Sequence, residues 1–137
     1  MLGISFRDPV RTLMAPAVAT IAPTATLRAA ATALAADRVG LLVVVDARGV
    51  RGVLSERDIV LAIADDHDLD EARVRDHAST ELVGIDEAES IIEAAGTMAA
   101  AELRHLAVMR GEEVVGVISV RDIVDVLVAQ GDLAAKI

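Results

Sequence analysis

The sequence predicts an α/β (α+β) fold made of two β-α-β-β-α repeats that pack through their sheets with pseudo-twofold symmetry. The first observation is an internal repeat: at an offset of 64 residues, 17 of the 55 positions from Val10 to Ala64 are identical. The second is that short apolar runs bounded by turn residues alternate with segments of helical periodicity in each copy. The third is size, because a half of about 55–60 residues buries too little apolar surface to be stable alone.

The first copy opens with a short strand and a helix. Thr20–Ala22 is a short apolar strand that ends at Pro23, a residue that cannot continue the strand ladder. Thr26 can cap the following helix. The apolar face of that helix recurs at i, i+3, i+4 and i+7 and consists of Leu27, Ala30, Ala31 and Leu34.

A hairpin and a second helix complete the first copy. Leu41–Val45 is a continuous apolar run, as expected of a strand buried on both faces. A turn at 46–49 follows, and Val50–Leu54 returns as the hairpin partner. The last helix starts at Ser55 and presents Ile59, Val60 and Ile63.

The second copy repeats this order. Ser90–Glu93 has the pattern of a capping box, and the helix that follows presents Ile91, Ala95 and Met98 on one face. Leu106–Met109 is the buried strand, 110–113 the turn, and Val114–Ile118 the returning strand.

The domain organisation follows from the offset. We expect a first repeat at 9–64, an acidic linker at 65–72, a second repeat at 73–129 and a C-terminal tail at 130–137. The acidic run is interpreted as a solvated linker. Its carboxylates and His67 have metal-ligand chemistry, but no second histidine accompanies them at a useful spacing, and His77 is alone in the sequence. No metal site is therefore predicted.

Composition excludes several classes of protein. The formal net charge of −9 argues against a nucleic-acid groove, and no apolar run is long enough to span a membrane. The absence of cysteine excludes disulfides, thiolate zinc sites and cysteine nucleophiles. Arg7 and Asp8 interrupt the stretch where a signal peptide needs an apolar segment. We expect a cytoplasmic protein with no nucleic-acid or membrane partner.

A Gly-x-x-Ser-x-x-Asp motif recurs where the last strand of each copy meets its last helix, at Gly52–Asp58 and Gly116–Asp122. The helix N-terminus favours an anion, a Ser hydroxyl can donate to a phosphate oxygen, and an Asp carboxylate can accept from two ribose hydroxyls. Arg57 and Arg121 add cationic donors. The motif therefore suits a ribose phosphate.

The same motif has a structural interpretation. Ser-x-x-Asp at a helix start is close to a capping box, and the glycine before it can serve only to relieve crowding in the hairpin. Duplication preserves caps as readily as sites, so the two copies alone do not separate these interpretations.

Each repeat resembles a CBS domain, and the chain resembles a stand-alone tandem CBS pair. The residues that carry the resemblance cover about 9–128: Val10–Met14, Thr20–Leu27, Gly52–Val60, Arg104–Val108 and Gly116–Val124. The resemblance implies a non-enzymatic regulatory module, with no catalytic residues and no required cofactor. It implies binding of AMP, ATP or S-adenosylmethionine in the cleft between the repeats. It also implies a homodimer that acts on a regulated protein partner.

The resemblance also implies the residues of two ligand sites. The Asp122 site would consist of Thr20, Ile21, Ala22, Arg104, His105, Ser119, Arg121 and Asp122. The Asp58 site would consist of Val39, Gly40, Ser55, Arg57, Asp58, Gly84, Ile85 and Asp86. We expect tighter phosphate binding at the Asp122 site, because Glu56, Asp86 and Glu87 bring negative charge to the other.

Two other functions remain open from the sequence. A structural oligomerisation module with vestigial ligand sites would use the apolar ends of the two last helices, at 59–63 and 123–128. An enzyme acting on a nucleotide has less support, because a phosphate cradle supplies no nucleophile or base.

Overall fold

The structure, a computed structural model, describes residues 4–13 and 18–129. Met14 and the predicted tail at 130–137 lie outside the described residues. The described chain is a mixed α+β protein with two three-stranded sheets, which confirms the predicted fold class. It divides into a contiguous unit, residues 18–82, and a composite unit, described at 4–13 and 83–129.

The contiguous unit contains one sheet and its helices. Its elements are β1 (Thr20–Ile21), α1 (Leu27–Asp37), β2 (Leu41–Asp46), β3 (Gly49–Ser55), α2 (Glu56–Ala64) and the short α3 (Val74–His77). The sheet order is β1-β2-β3, with β1 parallel and β3 antiparallel to β2. The prediction placed the three strands and the starts of α1 and α2 to within two residues of their observed positions, and it did not include α3.

The composite unit repeats that topology. Its elements are a 3-10 turn (Val10–Thr12), β4 (Gly84–Asp86), α4 (Ile91–Ala101), β5 (His105–Arg110), β6 (Glu113–Ser119) and α5 (Val120–Ala129). The sheet order is β4-β5-β6, again with one parallel and one antiparallel pair. Among the described residues, no helix is long and apolar enough to cross a membrane.

The predicted helix faces of α1 and α4 are largely the buried ones, whereas the predicted face of α2 is wrong: only Ile59 is buried there, together with Ala62, and Val60 and Ile63 are exposed. Leu27, Ala30 and Leu34 are buried in α1, as predicted. In α4 the buried alanine is Ala94, and the predicted Ala95 is only half-buried. The i, i+3, i+7 spacing therefore sets the buried stripe in both helices, and the i+4 position lies at its edge.

Each unit contains the opening segment of the other sequence repeat. Val10, from the first copy, is fully buried in the core of the composite unit with Ile91 and Leu106. Val74, from the second copy, is fully buried in the core of the contiguous unit with Leu27 and Leu54. Compact units and sequence repeats therefore do not coincide.

The side chains of the acidic linker are solvated, but its backbone also packs against the start of α1. The side chains of Asp65, Asp66 and Asp68 are exposed, as the linker interpretation requires. The backbone carbonyl of Leu69 accepts from the Arg28 amide at 3.0 Å, and the Arg28 guanidinium pairs with Asp70. This segment is thus fixed to the start of α1 within the contiguous unit.

Candidate functional site

Both Ser-x-x-Asp motifs close a reciprocal cap at a helix N-terminus. Asp58 Oδ2 accepts from the Ser55 amide at 2.8 Å and from Ser55 Oγ at 3.0 Å, and the Asp58 amide donates to Ser55 Oγ at 3.2 Å. Asp122 and Ser119 repeat these three contacts at 2.7, 3.1 and 3.2 Å. The structural interpretation of the motif is therefore correct, and Oδ1 of each carboxylate takes no part in the cap.

The capping box predicted at Ser90 is only half formed. Ser90 Oγ accepts from the Glu93 amide at 3.2 Å. The Glu93 carboxyl instead hydrogen-bonds the Glu89 carboxyl, which raises the pKa of Glu89. Thr26 likewise caps α1 by accepting from the Ala29 amide at 3.0 Å. Four helices thus begin at a hydroxyl cap, and two of these caps include a carboxylate.

The first-turn amides separate these four helices into two pairs. In α1 the amides of Leu27 and Arg28 donate to the carbonyls of Ala72 and Leu69. In α4 the amides of Ile91 and Ile92 donate to the carbonyls of Asp8 and Phe6. With the hydroxyl caps, all three first-turn amides of α1 and of α4 have acceptors.

The helices α2 and α5 each keep one donor uncommitted. The Glu56 amide donates to the Gly40 carbonyl at 3.0 Å, and the Val120 amide donates to the Arg104 carbonyl at 2.9 Å. The second amides, those of Arg57 and Arg121, have no acceptor among the described residues. An unpaired amide at the positive end of a helix is a binding group for an anion.

Strand pairing brings part of each predicted site together. Ser119 pairs with His105 across β5 and β6, so Arg104 and His105 lie beside the Ser119–Asp122 cap. Ser55 pairs with Leu41 across β2 and β3, so Gly40 lies beside the Ser55–Asp58 cap and Val39 next to it. Arg57 and Arg121 are exposed on the first turns of their helices.

The remaining predicted residues lie on the first strand of each sheet, except Ala22, which directly follows β1. Thr20 and Ala22 are exposed and Ile21 is half-buried. Gly84 and Asp86 are exposed, whereas the Ile85 side chain is buried in the core, so Ile85 can offer a ligand only its backbone. Each predicted site takes residues from both units, and the pairing across the units remains a prediction.

Gly52 is explained by packing within the contiguous unit. A Cβ at Gly52 would lie 2.2 Å from the Ser79 carbonyl oxygen. The neighbouring Val53 exchanges two backbone hydrogen bonds of 2.9 Å with Ser79. The glycine of the first motif thus permits the 78–80 segment to approach β3.

The charge of Glu87 is compensated. Its carboxylate accepts two hydrogen bonds from the Arg110 guanidinium, at 2.9 and 3.0 Å. This contact lowers the pKa of Glu87. Glu87 was expected to repel phosphate at the Asp58 site, and its ion pair with Arg110 weakens that part of the expectation.

His77 is not alone in the structure, contrary to the sequence interpretation. Its ring and that of His67 are in edge-to-face contact, with centroids 4.7 Å apart. The sequence separation of ten residues hid this contact, because it depends on the turn after α2. The described residues contain no group of three or more His, Cys, Asp or Glu side chains able to hold a metal ion.

The sequence also gave no sign of a cavity in the contiguous unit beside α3. Arg51, Arg75 and Thr80 are among the residues that line it. One difference between the two copies could have pointed to this cavity: the first copy has Pro23 where the second has the acidic residue Glu87.

Comparisons with known proteins agree with this topology. The CBS domain family matches the chain twice, at residues 10–65 and 74–129. The chain is 30% identical to the CBS domain-containing protein YhcV of Bacillus subtilis over 114 residues, which are 83% of this chain and 81% of that protein.

Two solved structures are similar over nearly all of the chain. One is a CBS domain protein from Pyrobaculum aerophilum complexed with AMP, with 31% identity, a TM-score of 0.79, and coverage of 93% of this chain and 98% of the other. The other is a CBS-domain containing protein from Agrobacterium tumefaciens, with 26% identity, a TM-score of 0.82, and coverage of 92% and 98%.

Proposed function

The chain belongs to the CBS-domain family as a tandem pair of repeats, and on that premise we propose that it binds an adenine nucleotide or a related adenosyl ligand. A CBS pair is a regulatory module. AMP, ATP and S-adenosylmethionine are the ligands that the proposal includes. Asp58 and Asp122 bind the ribose, and the helix N-termini that they cap bind the phosphate.

One observation carries the proposal. Of the four helices with a hydroxyl cap, only α2 and α5 leave a first-turn amide uncommitted among the described residues, and only these two carry the repeated motif. The free amides of Arg57 and Arg121 supply donors for a phosphate oxygen, and their exposed guanidinium groups add positive charge.

The carboxylates can serve the ribose without opening the cap. Oδ2 of Asp58 and of Asp122 is used within the cap, so Oδ1 accepts from the sugar hydroxyls. The Ser hydroxyl has one proton, which it now gives to Oδ2. If the hydroxyl rotates to donate to a phosphate oxygen, Oδ2 still accepts a hydrogen bond from the backbone amide of the same serine, so the cap is kept.

The relatives support the ligand class. The Pyrobaculum protein, 31% identical over 93% of this chain, is complexed with AMP. The proposal retains the pairing that the family resemblance implies, of the Asp122 cap with Thr20–Ala22 and of the Asp58 cap with Gly84–Asp86. His105 and Arg104, beside Ser119, complete the first of these sites.

A thermal-shift screen tests the proposal. The panel is AMP, ADP, ATP, adenosine, S-adenosylmethionine and GMP at equal ionic strength. A ligand at about 100 times its Kd stabilises the folded chain by about 2.7 kcal/mol, which raises the Tm by several degrees in a protein of this size. A panel in which no adenosyl ligand raises the Tm contradicts the proposal.

A second candidate function, assembly with another copy of the chain, is favoured by exposed apolar side chains. In α2, Val60, Leu61 and Ile63 are about half exposed or more, and α5 exposes Val120, Val124 and Val128. Monomeric proteins rarely leave such apolar patches uncovered. In a homodimer with twofold symmetry the same patches of two chains would cover each other.

Light scattering after size exclusion tests this assembly. We expect a dimer mass for the wild type and a monomer mass for a Val60→Asp, Val124→Asp double variant. Ile92→Asp is the control, because Ile92 is about as exposed as Val60 but lies on α4. A wild-type chain that is monomeric at all concentrations contradicts the assembly and leaves the ligand proposal to its own test.

A further inference from the structure

A cavity of about 430 Å³ lies in the contiguous unit, where α3 faces the ends of two strands. Asp46, the last residue of β2, and Thr24, just after β1, line it together with Arg51, Arg75 and Thr80. The Ser55 cap lies beside Leu41 at the opposite end of β2. The length of that strand, roughly 16 Å, separates the cavity from the proposed ribose site.

The cavity is rich in uncommitted hydrogen-bond donors. Both Asp46 oxygens have partners, the Arg48 amide at 2.8 Å and Arg51 Nε at 3.5 Å. The terminal nitrogens of Arg51 and the whole guanidinium of Arg75 have no partner among the described residues, nor do the hydroxyls of Thr24 and Thr80. Two guanidinium groups thus face one carboxylate, in a chain whose net charge is −9.

The composite unit shows what occupies the equivalent position there. The Arg11 amide donates to the Glu87 carbonyl at 3.2 Å, as the Arg75 amide donates to the Pro23 carbonyl at 2.9 Å. Arg11 and Glu87 are therefore the counterparts of Arg75 and Pro23. In the composite unit the Glu87 carboxylate is held by Arg110 and is stabilised by the charge of Arg11.

The contiguous unit keeps the arginine but has no carboxylate at that position, because Pro23 has no charge. Its second arginine comes from β3, as Arg51, in place of one at the end of the middle strand. The carboxylate of the contiguous unit is instead Asp46, the counterpart of Arg110, and it pairs with Arg51. Arg75 is therefore left without an acidic partner among the described residues, whereas its counterpart Arg11 acts on Glu87.

We propose that the cavity beside α3 is an anion site for a phosphate group, distinct from the two adenosyl sites. Guanidinium groups bind phosphate through paired, charge-assisted hydrogen bonds, and Thr24 and Thr80 add neutral donors. Inorganic phosphate and the phosphoryl group of a larger metabolite share this chemistry.

Amide NMR of the full-length chain, titrated with inorganic phosphate at constant ionic strength, tests the site. We expect saturable shifts at the amides of Thr24, Arg51 and Thr80, and we expect chloride to give none. Arg75→Gln should weaken phosphate binding at least tenfold. The matched control is Arg11→Gln, which should leave it unchanged because its neighbourhood already contains Glu87.

A second variant keeps the test independent of any effect on folding. Pro23→Glu would supply the carboxylate that the composite unit has, and we expect it to abolish the phosphate shifts while the rest of the spectrum is preserved. Phosphate shifts confined to the amides of Arg57 and Arg121, or equal shifts with chloride, would overturn the proposal.

Parallel titrations with AMP and with adenosine separate the possible sources and the two proposals. If AMP shifts the amides of Thr24 and Thr80 and adenosine does not, a phosphoryl group of a larger ligand can occupy the site. If AMP shifts only the amides of Arg57 and Arg121 while inorganic phosphate shifts the cavity, the ligand is the free anion. A cavity that responds to neither phosphate source is not an anion site, whatever happens at the caps.

Discussion

At the scale of single residues, each motif carboxylate divides its two oxygens between the fold and the proposed ligand. Asp58 and Asp122 use Oδ2 to hold the backbone of the capping serine. Removing either carboxylate therefore costs stability as well as affinity, and a loss of binding alone does not identify a ligand contact. The caps at Thr26 and Ser90 provide the comparison that separates the two effects.

The first prediction concerns the ranking of the two sites. Asp122→Ala should reduce AMP affinity more than Asp58→Ala, because Arg104 and His105 lie beside the Ser119–Asp122 cap and no such pair lies beside Ser55. Isothermal titration calorimetry measures both. Thr26→Ala and Ser90→Ala are the controls: each should cost about 1 kcal/mol of stability with AMP affinity unchanged. A larger loss from Asp58→Ala contradicts the ranking.

The second prediction concerns Glu87 and Glu89, two nearby glutamates whose pKa values are shifted in opposite directions. Arg110 lowers the pKa of Glu87, so its contribution to stability is present above the unfolded-state pKa and is lost as the pH falls through the folded-state value. The Glu93 contact raises the pKa of Glu89, so its contribution is present at low pH and is lost as the pH rises. Side-chain carboxyl NMR should find Glu87 below and Glu89 above the ordinary range. Arg110→Gln should return Glu87 toward that range and leave Glu89 in place.

At the scale of helices and strands, the sequence predicted most of the architecture because periodicity and burial agree. Leu41–Val45 is a continuous apolar run, and the first four residues of β2 are buried. The ring contact of His67 and His77 could not be predicted, because it depends on a turn that no periodic pattern describes. The register of the paired strands explains which residues lie beside each cap, such as His105 beside Ser119. The unpaired amides of Arg57 and Arg121 could be found only in the structure.

The third prediction compares two glycines in different elements. Gly52→Ala should destabilise the chain by about 1–3 kcal/mol, because its Cβ would lie 2.2 Å from the Ser79 carbonyl oxygen. Gly96→Ala should stabilise it by about 0.5–1 kcal/mol, because Gly96 lies inside α4 with no atom within 4 Å of an added Cβ. Urea unfolding measures both. Equal stability of the two variants would contradict this account of Gly52.

At the scale of the whole molecule, each compact unit contains a segment from the other sequence repeat. The offset of 64 residues defines the repeats correctly, yet it cannot show which core receives Val10 and which receives Val74, because both valines are equally apolar in the sequence. Carbonyls of the linker accept hydrogen bonds from the first-turn amides of α1, and carbonyls of the segment before Val10 accept from those of α4. Within the part of the chain that the structure describes, α2 and α5 are then the capped helices with a free first-turn amide.

The fourth prediction tests this exchange by hydrogen exchange. Val74→Ala removes a fully buried side chain from the contiguous core and should cost about 2 kcal/mol, with faster amide exchange concentrated in residues 18–82. Val10→Ala should instead accelerate exchange in residues 83–129, because Val10 is buried in the composite core. The opposite assignment of the two responses would contradict the exchange.

The most direct measurement of the central claim is an amide NMR titration of the wild-type chain with AMP. The account predicts saturable shifts at the amides of Arg57 and Arg121, with little change at Arg28 and Ile92, whose amides already donate to backbone carbonyls. Equal shifts at all four helix starts, or none at Arg57 and Arg121, would contradict it.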